Sequence, residues 1–156
     1  MLARMTNDDI ARAVLDGTSY VVLATADAAG LPWASPVWFA HEDPRELFWV
    51  SFPGARHSRN LADRPELAMV VFDSTRPSAG AQAVYMSATA GQVTDPAEIE
   101  RGIGVFSRVS VREGLEPWGP DRVTGGARLR LYRAQVTEHS ILDPGATVDI
   151  RTTVRP

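Results

Sequence analysis

The chain contains no cysteine, and that one absence removes disulfides, thiolate nucleophiles, iron–sulfur clusters and cysteine-ligated zinc together. It contains no lysine either: all 16 basic residues are arginine. Schiff-base catalysis of the pyridoxal-phosphate kind therefore has no amine to use, and no P-loop lysine is present to hold a nucleotide phosphate. Arginine remains as a forked, permanently charged phosphate ligand. No apolar run is long enough to span a bilayer, and in the stretch from Met1 to Asp9 acidic residues arrive before any such run. Neither a secretory leader nor a membrane segment is expected, and the reading is a soluble, cytoplasmic protein. Positive charge is not in excess: 16 basic against 19 acidic residues give a formal net charge of −3, so neither nucleic acid nor an anionic membrane is an expected partner.

What is present fits one globular domain spanning residues 1–156, with 44% hydrophobic and 22% charged residues. Thr6 followed by Asp9 reads as a helix cap, and Ile10, Val14 and Leu15 share one face of a short helix that Gly17 ends. β-Branched and aromatic runs then predict strands over 19–26, 32–40 and 46–52, separated by the turns 27–30 and 41–44 and read as a meander. The third run, Leu47-Phe48-Trp49-Val50, is apolar without alternation and predicts burial on both faces. After Pro53-Gly54, residues 55–63 have room for about two turns of helix before Pro65. Further strands are expected over 66–73, 81–93 and 127–137. Asp95 as N-cap, Pro96 at N1 and Glu98 at N3 open a helix whose apolar stripe is Ile99, Ile103 and Phe106. Residues 111–126, rich in glycine and proline, read as a long irregular segment around Trp118. The total is six mostly antiparallel strands with two or three helices, a barrel or sandwich in a mainly β, α+β setting.

The segment Ala55-Arg56-His57-Ser58-Arg59-Asn60 is the most unusual for chemistry. It lies where a buried strand passes into the first turn of a helix. Free backbone N–H groups and the helix dipole favour an anion there, Ser58 can donate a hydrogen bond, and Arg56 and Arg59 can grip phosphate oxygens. The alternative is a solvated basic helix face. His41, His57 and His139 lie in three different elements without metal-site spacing, so no metal is expected. Ser35 and Ser51 lack a nucleophile elbow, and Gly102-Ile103-Gly104 reads as helix packing rather than a dinucleotide loop. Trp118 could cover a planar ligand or a subunit contact.

Taken together, Leu31 to Phe39, Leu47 to Ser51, Arg56 to Leu61 leading into Arg64 to Phe72, and Gln82 to Met86 with Gly91 resemble the pyridoxamine 5′-phosphate oxidase-like family of flavin-binding split barrels. The resemblance implies a six-stranded antiparallel split β-barrel with a few short helices, forming a homodimer with FMN at the subunit interface. It implies a flavin ring along the backbone of Ala34, Ser35, Pro36 and Val37 and of Val50 and Ser51. The phosphate would be held by Arg56, His57 and Arg59, with Asn60 also at the cofactor, Gln82 reaching the ring edge and Trp118 packing near it. His57 stands where relatives often have lysine. The chain lacks the carboxy-terminal substrate-binding arginine motif of the true oxidases, so vitamin B6 oxidation is not expected.

Relatives of this size include flavin reductases, deazaflavin (F420)-dependent reductases and heme-handling members. The expectation is thus an FMN-dependent oxidoreductase acting by hydride or electron transfer on a small substrate, with no catalytic residue assigned. Two alternatives stand beside it: an F420-dependent reductase, whose longer anionic tail would call on Arg76, Arg128 and Arg130, and a dimer that binds flavin without turnover.

Overall fold

The computed structural model describes residues 5–156; Met1 to Arg4, part of the amino-terminal stretch read above, lie outside the described residues. Helix α1 (Asn7–Asp16) opens on a capping box: the Thr6 hydroxyl accepts from the Asp9 N–H at 3.1 Å and the Asp9 carboxylate accepts from the Thr6 N–H at 2.9 Å. Strands β1 (Tyr20–Ala26) and β2 (Pro32–Trp38) form a hairpin. Its turn is fixed by the Asp27 carboxylate, which accepts from the N–H groups of Ala29 and Leu31, and by Gly30 at φ 87°. Strand β3 (Glu46–Ser51) leads into α2 (Arg56–Asp63), then β4 (Glu66–Phe72) and β5 (Ala83–Gln92). Helix α3 (Pro96–Arg112) starts at Asp95, whose side chain accepts from the Glu98 N–H. A single 3-10 turn (Pro120–Arg122) and strands β6 (Arg130–Leu142) and β7 (Arg151–Val154) complete the chain.

The sheet order is β2-β1-β4-β5-β6-β3, with β7 paired to β6, and every pairing is antiparallel. The sheet curls until its two edge strands come back alongside each other. Ala40 and Phe48 exchange backbone hydrogen bonds at 2.9 and 2.8 Å and join the edges at one end, while β2 and β3 remain unpaired with each other over the rest of their length. This is the split of a split barrel. Pro36 suits the β2 edge because it has no N–H to offer a further strand.

Three sequence expectations are corrected. The meander stops after β2: β3 pairs with β6 rather than β2, because α2 carries the chain across to put β4 against β1. Leu47, Phe48 and Trp49 are all buried even so, since one face of β3 turns into the barrel and the other lies under α3. The last long strand starts at Arg130 and runs to Leu142 instead of ending near residue 137. A register shift opposite Ser87/Ala88 leaves Thr137 unpaired, which breaks the inside–outside alternation at that point. A seventh strand, β7, pairs residues 151–154 with 139–142. The barrel interior holds Leu23, Trp49, Val71, Val84 and Tyr132, and a second cluster under α3 holds Phe48, Ile103, Phe106 and Leu131.

Candidate functional site

The junction between β3 and α2 is built from short-range constraints. Phe52-Pro53-Gly54-Ala55 reverses the chain, with the Ala55 N–H bonded to the Phe52 carbonyl at 2.9 Å. Ala55 at the N-cap carries no side-chain oxygen and makes no capping bond, so the first-turn N–H groups of α2 face the junction without a side-chain partner. The inner face of α2 is polar yet buried. Ser51 Oγ lies 2.7 Å from His57 Nε2, and Ser58 Oγ donates to Ser51 Oγ at 3.5 Å. Burial holds the His57 pKa below its ordinary value. Ser58, Ser51 and His57 thus form one buried hydrogen-bonded group, in which the imidazole tautomer sets whether Nε2 donates to Ser51 or accepts from it. Asn60 Nδ2 donates to Thr25 Oγ1 at 3.0 Å, tying α2 to β1.

The outer face of the same two turns carries the arginines. The Arg56 guanidinium lies 4.4 Å from the centre of the Trp33 ring on β2. Arg59 donates from one terminal nitrogen to the Gly54 carbonyl at 2.6 Å. Among the described residues neither arginine forms an ion pair with a carboxylate. Two guanidiniums and an uncapped helix start, with no acid to neutralise them, make a donor set for a phosphate-like anion.

Along the split, a cleft of about 630 Å³ opens between β2, β3 and the carboxy-terminal half of α3. Pro36, Val37 and Trp38 line one side, Val50 the other, and Phe106, Trp118 and Leu129 close it. Phe106 packs edge-on against both Trp38 (4.7 Å) and Trp118 (5.3 Å), and Arg122 stacks on Trp118 at 3.5 Å. One face of Trp118 is thus already occupied. Strand β2 links the two regions: Trp33 stands at Arg56 and Val37 at the cleft, a separation of about 13 Å at ~3.3 Å per residue. An extended ligand with an anionic group at one end and a flat ring at the other matches that layout.

The structure therefore brings Pro36, Val37, Val50 and Trp118 to one cleft and Ser51, Arg56, His57, Arg59 and Asn60 to the adjoining junction, with Ala34 and Ser35 on the β2 edge between them. Gln82 is apart. It precedes β5, donates to the Leu142 carbonyl at 3.1 Å, and lines a separate cleft with Val14, Asp73 and Arg76. Sequence reasoning missed the cleft roles of Phe106, Arg122 and Leu129. Phe106 reads as ordinary helix core, and Trp118 and Arg122, lying in an irregular segment, give no local signal of the stack they form. Among the described residues no group of three or more acidic or histidine side chains could hold a metal ion. A larger cavity of about 730 Å³ lies between α1, the loop before β3 and strands β6 and β7, but its arginines and carboxylates are mixed, with Arg45 paired to Asp43.

The family model for pyridoxamine 5′-phosphate oxidase matches residues 8–124 of the chain. No curated protein matches it by sequence. Solved structures similar to the fold include HutZ, a heme storage protein from Vibrio cholerae, at 21% identity over 85% of this chain and 91% of that one, with a TM-score of 0.66. A heme binding protein from Mycobacterium smegmatis is 19% identical over 97% of this chain and 60% of its own, with a TM-score of 0.71. An FAD-binding protein from Mesorhizobium loti is 19% identical over 90% and 97%, with a TM-score of 0.63. At these identities the structural matches establish the fold.

Proposed function

The chain belongs to the pyridoxamine 5′-phosphate oxidase family, and from that premise we propose that it is an FMN-dependent oxidoreductase, working as a cytoplasmic homodimer on a small molecule. The observation that carries this reading is the pair of arginines without acid partners at the uncapped start of α2, joined by β2 to an aromatic cleft. A bound flavin would supply the hydride or electron transfer. Arg56, Arg59 and the α2 N–H groups would hold its phosphate, and the β2 and β3 backbone around Ala34 to Val37 and Val50 to Ser51 would hold its ring. His57 and Asn60 would act from beneath: bonded to Ser51 and Thr25, they keep the first turn of α2 in place against the strands. This division of labour explains how histidine can stand where lysine is frequent.

The F420 reading fares less well on the same residues. Arg130 donates to the carbonyls of Gly125, Ala127 and Leu129, and Arg76 pairs with Asp73 beside α1, so two of the three arginines proposed for a longer tail are engaged elsewhere. The names of two similar structures raise heme as a second ligand. Heme iron is commonly held by an imidazole. Here His41 contacts Asp16, His57 contacts Ser51 and His139 contacts the Pro44 carbonyl, and none lines the aromatic cleft. For the dimer, the open β2 edge and the exposed small residues Ala24, Ala68 and Ser87 on the outer sheet face offer a flat surface for a second copy.

An absorbance spectrum of the purified protein, followed by titrations with FMN, F420 and heme, tests the reading. FMN bound in preference to the other two supports it. Preference for F420 or heme rejects it.

A further inference from the structure

We propose that the anion taken up at the start of α2 brings a proton with it, carried from solvent to His57, so that the phosphate grip weakens as the pH rises; this rests on the flavin reading above and concerns the regulation of that same site. His57 stands in the first turn of α2 between Arg56 and Arg59, 8% exposed, with Ser51 and Ser58 buried against it. Helix α2 packs on β1, β2 and β5, and none of these strands contains a charged side chain. Their tyrosines, Tyr20 and Tyr85, lie on the outer sheet face, alternating with the buried Val21 and Val84. Glu46 is at the far end of β3, Asp63 at the far end of α2, and Asp27 is spent on the β1–β2 turn. Arg130, paired with Ser51 across β3 and β6, is held by the carbonyls of Gly125, Ala127 and Leu129. Among the described residues the imidazole thus has basic neighbours in its own helix and no carboxylate facing it from the elements packed there.

That arrangement keeps the ring neutral before an anion arrives. Burial penalises the imidazolium and holds the His57 pKa below its ordinary value, and no acid offsets the cost. A phosphate held by Arg56, Arg59 and the α2 N–H groups supplies the missing negative charge and favours the charged ring. Ser51 gives the coupling a route, because its hydroxyl has one proton to donate. With Nε2 unprotonated, that proton is drawn to the imidazole 2.7 Å away; in the imidazolium, Nε2 donates to Ser51 Oγ and the Ser51 O–H is free to turn to the anion. His57 is then a positioning residue that acts through Ser51.

Affinity is highest in acid, where the ring is already charged. It falls by at most about tenfold per pH unit between the pKa of the free protein and the raised one of the complex, and levels off above that. The FMN phosphate loses its own second proton at about pH 6, so the imidazole is read apart from it. The three imidazoles of the full chain are followed by NMR from about pH 5 to about pH 8, alone, with saturating FMN, and with saturating riboflavin, which has no phosphate. FMN is expected to move the His57 titration up by about one pH unit or more, and riboflavin to leave it in place. His41 and His139, which contact Asp16 and the Pro44 carbonyl near the opposite end of β3, are expected to stay where they are and serve as internal controls. In flavin fluorescence over the same range, the unaltered chain is expected to lose about tenfold more FMN affinity than His57→Gln.

A His57 titration that saturating FMN leaves in place, or equal pH profiles in the two proteins, overturns the proposal while the flavin reading stands. FMN bound no more tightly than riboflavin removes the phosphate grip, and the proposal with it. His57 is identified by assignment through the backbone, so the NMR measurement decides the matter on the unaltered chain should His57→Gln not fold.

Discussion

At the scale of single residues, the three histidines make the most direct claim, because His57 and His139 are buried, His41 is half-buried, and each touches a fixed partner. Burial lowers the pKa of His41, His57 and His139 from 6.5; Asp16 opposes this at His41, and the Pro44 carbonyl and Asp43 oppose it at His139. Above 6.5 the imidazoles are neutral in folded and unfolded chains alike, and the full stability is present. As the pH falls through that value, the unfolded chain takes up protons that the folded chain refuses, and stability is lost until the folded values are passed. The urea midpoint is therefore expected to be lower at about pH 5.5 than at about pH 7.5; an equal or higher midpoint in acid would contradict the burial of these rings. Four carboxylates are held below their ordinary values, Asp43 by Arg45 down to about 2 and Asp9, Asp73 and Glu98 by their own hydrogen bonds, so their contribution is lost only in more acid solution than this window.

At the scale of elements, α3 offers two glycines two positions apart with opposite roles. A Cβ at Gly102 would stand 2.5 Å from the Phe48 ring and 2.9 Å from Leu131, so this glycine lets the helix lie directly on β3 and β6. Gly102→Ala should destabilise, because overpacking of about 1–3 kcal/mol exceeds the roughly 1 kcal/mol gained in helix propensity. At Gly104 the added Cβ meets only the flexible end of Arg108 at 3.4 Å, and Gly104→Ala should stabilise by up to about 1 kcal/mol. Thermal melts of the two variants check the pair, and shifts of the same sign would refute the packing described for α3. Elements like this one were legible because their signals are local: Thr6 with Asp9, Asp95-Pro96, and the unbroken apolar run of β3 each act within a few residues. What was not legible depended on distant partners. The pairing of β3 with β6 is decided across some eighty residues, and the register shift at Thr137 hides the end of β6 from any alternation rule. The site divides in the same way: the arginines after β3 stood out by their junction, but Phe106 and Leu129 became cleft walls only through the packing of α3 and its following loop on the split.

At the scale of the whole molecule, the barrel remains open along β2, and under the proposed function that edge would hold both the ligand and the second subunit. Trp33 is 41% exposed on an edge strand with no neighbouring strand beyond it, a surface that a lone chain would leave open to unwanted strand pairing. If two copies cover it, the urea midpoint rises with protein concentration and sedimentation shows a dimer that dissociates on dilution. A concentration-independent midpoint with a monomer throughout would contradict the shared interface. The central claim is narrower: the start of α2 is a phosphate grip for a flavin, with Arg56 as its main charged donor. FMN affinity measured side by side for the unaltered chain and Arg56→Ala tests it most directly. Loss of charge-assisted hydrogen bonds of about 1.5–3 kcal/mol each predicts affinity weaker by roughly 10- to 100-fold in the variant, with unchanged folding. Equal FMN affinity in the two proteins, or no FMN binding by either, would contradict it.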